Sequence, residues 1–150
     1  MFKKFFGSIA AVLALMAVMA PSLPASAAEK HRVAIHVDDK DPARMNMALN
    51  NAANVTKYYQ KKGEEVEIEI VAYGPGLHML RADTSPVKKR LASYGGSFPN
   101  VSFKACGNTM NGMAKKEGKK PELLDIAEQV PSGVVRLIEL QEKGWSYVRP

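Results

Sequence analysis

Hydrophobic positions along residues 28–150 switch repeatedly between short strand-like runs and stripes of helical period, the signature of a parallel sheet with helices packed on its faces. Arg32 to Val37 is the first strand, and Val33-Ala34-Ile35 is apolar on both faces, as a central strand requires. Asp41 then caps a helix with Pro42 at its first position, where a missing N–H costs nothing. Met45, Leu49, Ala52, Val55 and Tyr59 recur at spacings of three and four, so this helix lays one stripe on the sheet before Gly63 ends it. Glu65 to Ala72 is the second strand. Its alternation of Val66, Ile68 and Ile70 with Glu67 and Glu69 predicts one wetter face and a place at the sheet edge.

Gly74-Pro75-Gly76 marks a turn, and Leu77 to Arg81 and Val87 to Tyr94 read as short helices separated by Ser85-Pro86. Val101 to Ala105 is the third strand, ending at Cys106. Met110 to Lys116 and Pro121 to Gln129 are predicted helices, Gly133 to Lys143 is a further one with Val134, Leu137, Ile138 and Gln141 along one side, and Trp145 to Val148 is a short closing strand. The expected fold is therefore α/β, three layers with a mostly parallel sheet, in a single domain over residues 28–150.

The first 27 residues break this pattern. Lys3 and Lys4 precede an apolar run from Ile9 to Ala20, Pro21 and Pro24 interrupt it, and Ala25-Ser26-Ala27 gives the small-x-small pattern of a cleavage site. The expectation is a signal peptide over 1–27, a mature chain from Ala28, a periplasmic or secreted location, and no stable membrane anchor after cleavage, because twelve apolar residues fall short of the roughly 20 that span a bilayer. Loss of the leader removes two lysines from a chain of formal charge +6, leaving a mild basic excess. Lys88-Lys89-Arg90, Lys115-Lys116 and Lys119-Lys120 are short and lack interleaved aromatics, so they read as solvated faces and nucleic acid is not an expected partner.

Export makes the single cysteine conspicuous, since a lone thiol in an oxidising compartment has no intramolecular partner. Cys106 is either a small apolar filler or a reactive group. In parallel sheets sites gather beyond the carboxyl ends of strands, and three such ends carry Asp38 and Asp39, then Gly74, Gly76 and His78, then Cys106, Gly107, Asn108 and Thr109. A strand-to-helix turn at Cys106 favours the thiolate through the backbone N–H groups of the helix start. Gly107 permits close approach of a ligand to the backbone, and Asn108 and Thr109 either cap the next helix or bond a sulfur-bound anion. Lys104 lies two residues earlier on the same strand face, where a solvated lysine is the plainer reading. His78 is a candidate general base or proton shuttle, with a loop-packing histidine as the alternative. Asn50 and Asn54 share a helix face and either bond loop backbone or line a cleft. Asp38 and Asp39 lack evident further ligands, and no His or Cys cluster has zinc spacing, so neither metal nor cofactor is expected.

At His36-Val37-Asp38, Leu49-Asn50-Asn51 through Asn54, Val71 through Leu77, Ala105 through Met110, and Val130-Pro131-Ser132-Gly133 through Gln141, Gly144 and Trp145, the chain resembles the DsrE/DsrF-like family, in particular its exported members. The resemblance covers essentially all of 28–150. It implies a three-layer α/β/α fold, assembly into homotrimers or hexamers, and, for sulfur-oxidising members, a cysteine that carries persulfide sulfur between partners. The residue that matches that cysteine is Cys106.

Three functions follow as expectations. In the first, Cys106 attacks a sulfane-sulfur donor, holds the sulfur as a persulfide and passes it to a thiol on a partner protein, with or without turnover as a sulfurtransferase. In the second, a strand-end cleft of a non-catalytic, oligomeric module binds a small anion or a partner peptide. In the third, apolar surface including some of Met45, Met47, Met79, Met110 and Met113 joins protomers of an accessory subunit, although core packing is the ordinary fate of such methionines.

Overall fold

The computed structural model describes residues 30–150, so the predicted leader lies outside the described residues. The apolar run of β1 (His31–Val37) pairs in parallel with β2 (Val66–Ala72), β2 with β3 (Val101–Cys106), β3 with β4 (Ala127–Val130), and β1 on its other side with β5 (Ser146–Val148). The order is β4-β3-β2-β1-β5. Each parallel step needs a crossover, and α1 (Pro42–Lys62), α2 (Lys88–Ser97), α3 (Gly107–Glu117) and α4 (Gly133–Glu142) supply them, together with a 3-10 helix over Gly74–Leu80. Among the described residues no helix is long and apolar enough to cross a membrane.

Local chemistry fixes the long helix as expected. Asp41 accepts a hydrogen bond from the Ala43 amide at 2.8 Å, Pro42 opens the first turn, and Gly63 at φ 71° ends the helix in the left-handed region. Two expectations fail. The second strand is central, not an edge: Glu69 is buried beneath α4, where Arg136 donates two bonds to its carboxylate at 2.6 and 2.7 Å, so the polar alternation marks a buried ion pair and not a wet face. The predicted helix over Pro121 to Gln129 is instead an extended passage into β4. Leu123 bridges Arg81, the Leu124 amide donates to the Leu80 carbonyl, and Lys104 to Cys106 pair with Glu128 to Val130, so tertiary pairing along the open edge of β3 overrides local helix propensity.

The pleat sorts the strand residues between two faces. Val33, Ile35, Val37, Ile68, Ile70, Ala72, Val101, Phe103 and Ala105 join Met45, Leu49, Leu91 and Met110 in the large core under α1, α2 and α3. Ala34 and Val71 face the other way, against Leu137 and Leu140 of α4. His36, Tyr73 and Cys106 are in phase with this second set, so all three belong to the α4 face at the carboxyl ends of neighbouring strands. Of the five methionines considered above, Met45, Met79 and Met110 are buried core, Met113 packs partly on it, and Met47 is exposed.

Candidate functional site

Cys106 is the last residue of β3 and also the N-cap of α3, so its Sγ takes the place that a serine or aspartate oxygen usually fills. The Thr109 amide donates to Sγ at 3.5 Å. The Thr109 hydroxyl is oriented from behind, since its oxygen accepts the Gly74 amide at 2.9 Å and leaves its proton for the sulfur. A second helix start approaches from the opposite side. Gly133 is the first residue of α4, and a Cβ placed there would lie 3.2 Å from the Cys106 Cβ and 2.9 Å from Tyr73, so only a glycine lets the α4 backbone come this close. Gly107 serves the same fit at α3, where a Cβ would sit 3.1 Å from the Val130 carbonyl and 3.2 Å from that of Pro131.

This surrounding decides the state of the thiol. Burial, with the residue 4% exposed, pushes its pKa up. The Thr109 hydroxyl and the amides of Gly133, Thr109 and Asn108 pull the other way and together prevail, leaving the thiol below its ordinary value. Among these amides that of Thr109 meets full hydrogen-bond geometry, whereas the Asn108 amide donates to the Pro131 carbonyl at 3.1 Å and reaches the sulfur only by its field. Two helix N-termini thus converge on one buried sulfur.

The other predicted residues divide. Gly74, Gly107, Asn108 and Thr109 gather around Cys106. Gly76 belongs to the scaffold: a Cβ there would fall 2.1 Å from the Val37 carbonyl oxygen, so the turn after β2 packs directly on the end of β1. Asp38 accepts bonds from the Arg149 guanidinium at 2.8 to 3.1 Å. Asn50 lies on α1 and accepts from Arg90 of α2 at 2.5 Å, a tie between two helices away from the strand ends. His78 is not brought to the thiol: its Nδ1 pairs with the Thr84 hydroxyl at 2.7 Å. Lys104 reaches across to Glu128 of β4 at 2.5 Å, so its charge is satisfied away from the sulfur. Among the described residues no three His, Cys, Asp or Glu side chains converge as a metal group would need.

Two residues near the sulfur, Tyr73 and His36, fall within the stretches that match the family yet have no site role in the reading by motif. Tyr73 is the first residue beyond β2 and stands level with Cys106, because Ala72 and Ala105 are paired. His36 stacks on Tyr73 with ring centres 4.5 Å apart, and its Nδ1 shares a 2.6 Å hydrogen bond with the Tyr147 hydroxyl of β5. Burial lowers the pKa of His36, opposed by the charge of Asp38, and burial raises that of Tyr73, helped by Asp38 and Tyr147. Period-two alternation is the signal that could have found them, since Ala34, His36, Val71, Tyr73, Lys104 and Cys106 all fall in the phase opposite the large core.

Comparison with known proteins agrees with this architecture. The model of the DsrE/DsrF-like family matches residues 31–150. A solved structure of a protein of unknown function from Methanobacterium thermoautotrophicum is similar at 33% sequence identity, with a TM-score of 0.67, over 80% of this chain and 99% of that one. No curated protein matches.

Proposed function

We propose that this chain, which belongs to the DsrE/DsrF-like family, is an exported sulfur-relay protein that carries sulfane sulfur as a persulfide on Cys106. Family membership points to a role in sulfur relay; the convergence of two helix N-termini on Sγ is the observation that supports this residue as the carrier. The thiolate attacks the outer sulfur of a donor persulfide. A new S–S bond forms at Cys106, the donor S–S bond breaks, and the donor leaves as a thiolate, with the proton remaining on the transferred sulfur. Delivery repeats the exchange with an acceptor thiolate, Cys106 now leaving, so no outside oxidant or reductant is consumed. A leaving thiolate of low pKa leaves faster, so the groups that lower the thiol pKa assist delivery as well as loading.

The proposal extends to assembly. Val134, Val135 and Ile138 on α4, which starts beside the thiol, and Tyr147 on β5, at the far edge of the same thinner face, are large apolar side chains left 43 to 50% exposed. Such a strip suits a second copy of this chain, in a homotrimer or hexamer. A non-catalytic binding module is the reading favoured by one observation, the 4% exposure of Cys106.

Intact-mass spectrometry decides between them. After incubation with glutathione persulfide or polysulfide, the expected product gains about 32 Da per sulfur, loses it to reductant and is absent from Cys106→Ser. Unmodified protein under every donor would overturn the carrier.

A further inference from the structure

We propose that His36 is a positioning residue for Cys106, acting through Tyr73, whose ring it holds as the closing wall of the thiol pocket. As a role in sulfur transfer this rests on the carrier reading; as a statement about access to the thiol it stands by itself. The starting point is a group out of place. His36 is 5% exposed on a strand whose neighbours are apolar, and its Nε2 is buried without a hydrogen-bond partner, 3.8 Å from an Asp38 carboxylate oxygen. The cavity beside it has room for about one water. What it does touch is the Tyr73 ring, stacked at 28° between planes, and the Tyr147 hydroxyl.

Tyr73 in turn is the part of the pocket that can move. Cys106 is walled by the first turns of α3 and α4, which are held by helix hydrogen bonds, and by Tyr73 at the end of a strand. The Tyr73 side chain is partly exposed, and its hydroxyl makes no hydrogen bond among the described residues. A donor sulfur has no approach to an Sγ this buried unless a wall yields, and a side chain rotates at far lower cost than a helix start. The stack on His36 opposes that rotation. His36 is itself held from the edge strand, where Tyr147 donates or accepts at Nδ1, while Asp38, Arg149, Asp39 and Arg44 are the charged groups around its outer side. The line Tyr147, His36, Tyr73, Cys106 therefore runs across four strand ends, from an exposed edge to the buried sulfur.

Labelling kinetics of the full chain test this, because Cys106 is its single thiol. With dipyridyl disulfide as probe, His36→Ala should raise the labelling rate by about tenfold, the upper end of what one aromatic stack holds. His36→Phe, which retains the stack, should restore the slow rate. Tyr73→Ala should be fast, and His36→Ala added to it should bring no further gain, since a residue acting through another is silent once that other is removed. The rates should be flat in low urea, as local opening requires and general loosening of the fold does not. Multiplying effects, a urea-dependent rise or a wild-type rate in His36→Ala would overturn the assignment. If His36→Ala does not fold, Tyr147→Phe alone and combined with Tyr73→Ala carries the same test, with a smaller rise in the single variant. A thiol that obeys this gating yet accepts no sulfur would refute the carrier and leave the gate standing.

Discussion

On the face that carries α1, α2 and α3, Phe103, Ile35, Ile68 and Leu49 are enclosed in one continuous apolar cluster. On the face under α4, Ala34, Val71, Leu137 and Leu140 are the buried apolar core and share the layer with an ion pair, an imidazole and a thiol. The first face buries most of the apolar area that stabilises the chain, with its buried polar groups, Thr56 and Arg81, tied to Asn100 and to Asp83 and Glu117; the second has a small apolar core, in which Glu69, His36 and Cys106 take a larger share. The difference teaches where chemistry can reside. A site built into the large core would lose packing with every polar atom, whereas the α4 face already contains groups held by specific bonds, and the sulfur joins them at the edge where helix amides point.

Substitutions on the two faces should therefore fail differently. Phe103→Ala, in the large core, should cost about 3–5 kcal/mol in chemical denaturation. The thiol pKa of the fraction that remains folded should be unmoved. Arg136→Met should cost about 2–3 kcal/mol, since it strands the Glu69 carboxylate beneath α4, with the loss softened because Arg136 is partly exposed. Adding Glu69→Met should recover most of that loss, which a denaturation series on the single and double variants checks. Gly133→Ala should cost about 1–2 kcal/mol, because the new methyl meets Tyr73 and Cys106 and pushes the α4 start away. Unlike the first two it should also raise the thiol pKa, read from alkylation rate against pH. Lys104→Met should change stability by less than about 0.5 kcal/mol and leave the thiol pKa alone, because its partner is the exposed Glu128. A raised thiol pKa in Lys104→Met would assign the activation to a side-chain charge and not to the helix starts.

Much of the large-core face was legible in the sequence. The stripe from Met45 to Tyr59, the cap at Asp41, the stop at Gly63 and the β-type runs around Val33 and Phe103 are short-range signals, and the structure follows them. The α4 face was harder because its residues carry partners from distant segments. Glu69 looked solvated because Arg136 is 67 residues away, and β4 looked helical because its pairing edge lies on β3. The glycine and capping residues after Cys106 mark a strand-to-helix turn, and in the structure Cys106 ends β3 and caps α3. The contribution of Gly133 was hidden, since a glycine at a helix start reads as an ordinary cap until the crossover that brings α4 over the sheet is known. His36 lies in a stretch that matches the family, but its role depends on Tyr73 and Tyr147 from other strands, and His78 draws attention by lying in a glycine-rich turn where its partner is Thr84 and not the thiol.

The central claim is that the surroundings of Cys106 on the α4 face lower the pKa of its thiol. The measurement that tests it most directly is the pH dependence of Cys106 alkylation by iodoacetamide, paired with the stability of wild type against Cys106→Ser over the same range. With the folded thiol pKa depressed, the rate should reach half its plateau below the ordinary thiol value of about 8.5. The stability advantage over the serine variant should grow as pH rises from the folded pKa to the unfolded one, because in that window the unfolded chain binds more protons; it should fade as pH falls through the folded pKa. A midpoint at or above the ordinary value, with a stability gap that does not change with pH, would contradict the account and leave Cys106 as packing.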